Sequence, residues 1–185
     1  MIVPNPEHIP ADDAMKNDLS CPSGISTLYM PLFLWNHLFA DQRGRLALFS
    51  GVGGPDPRRL LACAEAHFSW PDEAGSAVES ALAESNRGRE SYFCAHLLTE
   101  KRRIKENAAP IRALYVGGDG AYPGEGLPQP TAIIESPPGC LQLWWRLDSE
   151  VPPETGEDLN RGLAYDTTAS DYFGNRDALT SHEVR

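Results

Sequence analysis

Ile111–Tyr165, IRALYVGGDGAYPGEGLPQPTAIIESPPGCLQLWWRLDSEVPPETGEDLNRGLAY, is the stretch whose reading decides the fold. It holds three apolar runs, Ile111–Val116, Thr131–Ser136 and Leu141–Leu147. The first runs into Gly117-Gly118-Asp119-Gly120, a Pro- and Gly-rich loop follows, and Pro137-Pro138-Gly139 forms a tight turn between the second and third. Short apolar runs bounded by turn formers read as strands, and the last two read as a hairpin. Pro152-Pro153 then starts a helix whose first turn carries Glu154, Glu157 and Asp158, acidic residues that suit a positive helix N-terminus. Leu159 and Leu163 are expected to be its buried side. On the third strand Gln142, Trp144 and Arg146 share one face and Trp145 takes the other, because strand side chains alternate.

Working outward, Leu28, Leu32, Trp35, Leu38 and Phe39 recur at helical spacing and predict a core-packed helix ended by Asp41–Gly44. Arg45–Ser50 reads as a strand running into the glycine turn Gly51–Pro55, which lacks the Lys-Ser/Thr of a phosphate-binding loop. Asp56-Pro57 is expected to open a helix carrying Leu60, Leu61, Ala64 and Phe68, ended by Pro71 beside Trp70. A second helix is expected over Gly75–Ser85, with Val78, Ala81 and Leu82 on one side. Tyr92–Leu98 reads as a strand, and Thr99–Pro110 as a polar, basic loop. Residues 1–26 show no periodicity and read as a mobile arm, residues 27–165 as one domain, and residues 166–185 as a diverged or frayed C-terminus.

The chain has 185 residues, room for one domain with a real core. Lys and Arg number 16 against 26 Asp and Glu, a formal charge of −10, which argues against bulk electrostatic coating of nucleic acid or anionic lipid. Any nucleic-acid contact must be a local patch. No apolar run reaches the length of a membrane span, and the acidic, proline-broken start lacks the features of a secretory signal, so no membrane contact and a cytoplasmic location are expected. Cys21, Cys63, Cys94 and Cys140 lie far apart and read as reduced structural thiols.

Three features could carry chemistry. Lys101, Arg102, Arg103, Lys105 and Arg112 place five basic residues in twelve, with Glu106 the one acidic residue among them. They read either as a phosphate-attracting patch or as a solvated loop. Asp119 ends an apolar strand, where carboxylates hold divalent ions in nucleotidyl-transfer enzymes, or it is a turn aspartate among glycines. The third feature is the hairpin from Glu135 to Arg146. His96 follows Cys94 at two residues, but two ligands make no zinc site, and a core or rim histidine is the reading. No hydrolase, zinc-protease or dinucleotide motif is present.

The order of these pieces resembles the primase/polymerase domains of the archaeo-eukaryotic primase superfamily, of the RepB-primase kind found in plasmid and mobile-element replication proteins. The carrying residues are YFCAHLLTEKRRIKENAAPIRALYVGGDGA and LPQPTAIIESPPGCLQLWWRLDSEVPPETGEDLNRGLAY, covering Ser91–Tyr165. The resemblance implies an α+β (α/β) domain with an RRM-like palm sheet and helices packed on it. It further implies Mg²⁺ or Mn²⁺ as cofactor, DNA and nucleoside triphosphates as partners, and other replication proteins as further partners. The family's Asp-x-Asp falls on Gly117-Gly118-Asp119, so Asp119 alone carries over as metal ligand and catalytic residue. Its hairpin motif falls on Ser136 and Gln142, with Arg146 beyond them, as nucleotide-binding residues, and Gln142, standing where the family usually has histidine, is implied as a catalytic residue too. For its third carboxylate Asp171 is the nearest candidate, with Arg176 following, and no Pro-Gly-Thr comes after. Two-metal transfer needs several anionic oxygens around two dications, so the resemblance implies a truncated or decayed primase domain of weak or no activity. The rival readings are a non-catalytic nucleic-acid-binding remnant and an acidic interaction protein.

Overall fold

The structure is a computed structural model, and it describes residues 30–53, 60–119, 126–136, 140–167 and 171–172. The arm over residues 1–26, Cys21, residues 54–57 of the expected glycine turn and helix start, residues 137–139 of the expected hairpin turn and Arg176 lie outside these residues, while residues 51–53 of the expected glycine turn are strand. The elements run α1 (Met30–Phe39), β1 (Gly44–Gly53), β2 (Leu60–Trp70), α2 (Ala74–Asn86), β3 (Glu90–Phe93), β4 (Ile111–Asp119), β5 (Ala132–Ser136), β6 (Cys140–Val151), α3 (Pro153–Thr167) and β7 (Asp171–Tyr172). They build a mixed α+β fold with two antiparallel sheets, ordered β2-β1-β3 and β5-β6-β4-β7.

The strands expected at Ile111–Val116, Thr131–Ser136 and Leu141–Leu147 are neighbours, with β6 between β4 and β5. Apolar runs broken by turn formers close into one sheet because each edge leaves backbone groups that need partners. Two residues beyond α3, Asp171 and Tyr172, continue this sheet by pairing with Gly117 and Val116.

The expected helix over Leu60–Phe68 is instead strand β2. LLACAEAHFSW is rich in residues with good helix propensity, so local preference points to a helix. Strand β1 overrides it. Six consecutive residues of β1 are buried, which makes it an interior strand that needs a partner on each edge, and Leu60–Trp70 supplies one over the whole register from Gly53↔Leu60 to Gly44↔Trp70. The expected strand Tyr92–Leu98 is likewise shorter. Only Glu90–Phe93 joins the ladder beside β1, after which Leu98 makes single bridges to Arg45 and Ala108.

One core joins the sheets. Trp144 of β6 stacks on Phe93 of β3 with centroids 5.7 Å apart, and Phe93 meets Trp35 and Phe39 of α1 edge-on at 5.9 and 6.4 Å. Tyr115 lies 4.7 Å from Trp144 on the same side of the four-stranded sheet. The opposite face, with Leu114, Val116, Leu143 and Trp145, packs on α3. The expected placement of Trp144 and Trp145 on opposite faces is therefore seen.

Helix α3 does not bury Leu159, which is 44% exposed, and Leu163 is only partly covered. Its inward stripe is Gly156, Asn160, Ala164 and Thr167. A Cβ on Gly156 would stand 2.7 Å from Ile111 Cγ1, so the helix approaches β4 too closely for a leucine stripe. No helix among the described residues is long and apolar enough to cross a membrane.

Candidate functional site

The end of the four-stranded sheet gathers the residues that sequence alone scattered. Gly117 is paired with Gln142 on one side and with Asp171 on the other. Asp119 is opposite Cys140, and Ser136 pairs with Cys140 across the hairpin. Gln142 is thus one strand over and two residues along from Asp119, about 8 Å between backbones from strand spacing and rise. For Asp119, Ser136 and Asp171 the described part is the backbone. Their register positions converge on one sheet end; Arg146, four residues further along β6, is opposite Ala113 near the other end.

This end of β4 is held in place by Asn160. Its Oδ1 accepts from the Tyr115 N–H at 3.0 Å and its Nδ2 donates to the Tyr115 carbonyl at 2.9 Å. Strand β7 reaches only Val116 and Gly117, so the fully buried amide takes the place of a further strand residue. A buried asparagine on the inner stripe of a helix is the signal that could have found it.

Gly117 is more than an aspartate position that lost its side chain. A Cβ there would meet the Tyr115 hydroxyl oxygen at 2.6 Å and Cζ at 3.1 Å, so Tyr115 occupies the space an Asp-x-Asp ligand needs. Tyr115 itself is buried against Trp144. Register brings two acidic residues, Asp119 and Asp171, and Gln142 to this end, fewer anionic groups than the two-ion arrangement that the resemblance implies. Among the described residues no group of three His, Cys, Asp or Glu side chains is arranged to hold a metal ion.

The basic residues part company. Lys101 and Arg102 are exposed on the loop. Arg103 turns back onto the three-stranded sheet, with its guanidinium carbon 3.9 Å from the Phe49 ring centroid and Nε 3.8 Å from Glu65. Lys105 reaches Glu157 of α3 at 2.6 Å. Arg112 stands elsewhere, beside Asp41 at 3.7 Å, and shares that carboxylate with Arg146 at 3.8 Å. The run of charge in sequence therefore does not make one patch in space.

Cys94 and His96 are both buried, with the sulfur 3.7 Å from each ring nitrogen. Burial pushes the thiol up to about 11, and burial with the Arg103 charge pushes the imidazole down to about 4. Both are neutral near pH 7, the opposite of an activated nucleophile. His96 is the core histidine expected.

The chain matches no family model, no curated protein and no solved structure.

Proposed function

We propose that the chain is a primase/polymerase-like domain of mobile-element DNA replication, built on an RRM-like palm, whose nucleotidyl transfer is weak or absent while contacts to nucleotide and nucleic acid persist. The observation that carries the reading is the row Gln142–Gly117–Asp171 with Asp119 two residues beyond. A second supports the palm. Strands β4, β5, β6 and β7, with α3 before the last, follow the order of a split βαβ sheet, in which β6 inserts antiparallel between β4 and β5 and β7 returns to the far edge of β4.

In this reading Gln142 and Ser136 orient a nucleotide through neutral hydrogen bonds, and Lys101 and Arg102 meet a phosphate backbone. Mg²⁺ or Mn²⁺ would neutralise developing phosphate charge in an intact site; the donors here cannot hold the pair. Gly117→Asp alone collides with Tyr115, so the restoring variant is Gly117→Asp with Tyr115→Phe, which removes the closest contact.

The test is Mn²⁺ calorimetry together with primer extension. Wild type is expected to bind Mn²⁺ weakly and extend at background, and the double variant to bind about tenfold tighter through the added carboxylate. Salt-dependent binding of single-stranded DNA should weaken in Lys101→Ala/Arg102→Ala and flatten in slope by about two units, one per phosphate contact. No DNA binding by wild type at low salt would overturn the reading, and tight Mn²⁺ binding that survives Asp119→Ala would move the site elsewhere.

A further inference from the structure

The far end of the same sheet carries a different chemistry, independent of the reading above. Arg112 is the second residue of β4, Arg146 of β6 is opposite Ala113, and both guanidinium groups face Asp41 in the turn after α1. That turn is fixed: Gln42, buried, donates from Nε2 to the Pro110 carbonyl at 2.7 Å, and its N–H reaches the Phe39 carbonyl at 2.7 Å. The Arg146 backbone is held as well, its N–H donating to Thr131 Oγ1 at 2.9 Å. Arg112 of β4 and Arg146 of β6 thus bring two cations to one oxygen, Asp41 Oδ1.

The charges there do not balance. Among the described residues Asp41 is the one carboxylate within 4 Å of either guanidinium, and it stands at 3.7 and 3.8 Å, beyond hydrogen-bond reach. The Arg112 side chain is only 10% exposed, yet its buried Nε has no hydrogen-bond partner, and neither has the buried Nε of Arg146. His37, one turn before Asp41 on α1, also has a buried Nε2 without a partner. Burial and then the nearby Arg146 charge hold its imidazole below the usual histidine range, so its neutral ring keeps one N–H to donate. Unmet buried donors on arginine cost free energy unless a ligand satisfies them. The Asp41 carboxylate, 75% exposed, is free to swing out and admit one.

We infer that Arg112, Arg146 and His37 form a binding site for one phosphate-class oxyanion, with Asp41 as an internal stand-in that the ligand displaces. Two guanidinium forks match the oxygens of a tetrahedral anion far better than one distant carboxylate oxygen. The ligand is either a phosphomonoester end or a phosphodiester within a strand, and the shared group is the phosphate. The site is about 15 Å from the Gly117 end, five residues along β4.

The experiment titrates the full chain with inorganic phosphate, followed by calorimetry and by NMR of the His37 ring. Asp41→Asn removes the competitor and is expected to bind phosphate about tenfold tighter than wild type, with the His37 resonances shifting on titration. Adding Arg146→Gln to Asp41→Asn should abolish that gain, and this partly exposed position keeps the test clear of folding losses that Arg112→Gln could bring. A 5′-phosphorylated oligonucleotide that binds more tightly than its 5′-hydroxyl twin identifies an end-binding site, and equal, Arg146-dependent binding identifies the strand backbone. An Asp41→Asn chain that binds phosphate no better than wild type, or a gain that persists without Arg146, would show the cluster to be a structural ion pair.

Discussion

The two sheets differ in how their charged groups are partnered. Around the three-stranded sheet Arg89 and Arg103 each have a carboxylate of their own, Glu84 and Glu65, although Arg103 Nη1 and His67 Nδ1 are buried without a hydrogen bond. Cys94 and His96 are held uncharged, and Glu84 of α2 accepts from the Ser50 hydroxyl at 2.8 Å while Arg89 lies 2.7 Å away. The Ser50 hydrogen bond is the largest cause holding the Glu84 carboxyl below its ordinary range. In the four-stranded sheet, Arg112 and Arg146 share Asp41, the one carboxylate within 4 Å of either guanidinium among the described residues. Matched burial holds a fold together; unmatched charge is a place where a ligand gains binding energy.

The strongest way to break this contrast is to separate the sheets. Trp144→Ala removes the ring that stacks on Phe93 and touches Tyr115, and should cost about 3–5 kcal/mol in urea unfolding. Both sheets should then unfold in one weakened transition. Two separate transitions already present in wild type would mean that the sheets are independent units.

Acid should act next, through the matched sheet. The folded chain holds the His96 imidazole down at about 4, below its ordinary 6.5, so the unfolded chain binds the proton more readily. Its contribution to stability is complete above about pH 6.5 and is lost as pH falls towards 4, with an upper bound of about 3 kcal/mol. Chemical denaturation across that window should show the loss, and His96→Phe should flatten it. An unchanged acid limb in that variant would place the proton uptake elsewhere.

Asn160→Ala should cost about 2 kcal/mol, because the Tyr115 N–H and carbonyl would be buried without partners. Hydrogen exchange at the Tyr115 amide should rise with it, and unaltered protection there would mean another group holds this end of β4. The smallest effect is expected from Leu159→Gln, within about 0.5 kcal/mol, since the side chain faces solvent. A loss of more than about 1 kcal/mol would restore the leucine stripe that the spacing of Leu159 and Leu163 suggested.

The strands at Ile111, Thr131 and Leu141, the antiparallel pairing of the last two, helices α1, α2 and α3, and the opposite facing of Trp144 and Trp145 were legible in the chain, because turn formers and side-chain period are local properties. Strand β2 was not. Its residues favour a helix, and only the hydrogen-bonding demand of β1 makes them a strand. The bases in Lys101–Arg112 looked like one patch because charge adjacency is visible in sequence, whereas the carboxylates that divide them, Glu65, Glu157 and Asp41, come from other elements. The row Gln142–Gly117–Asp171, the Tyr115 ring over Gly117, and the meeting of Arg112 and Arg146 at Asp41 belong to the tertiary structure alone. Each depends on register or on contacts between residues far apart in the chain, and no local preference encodes such distances.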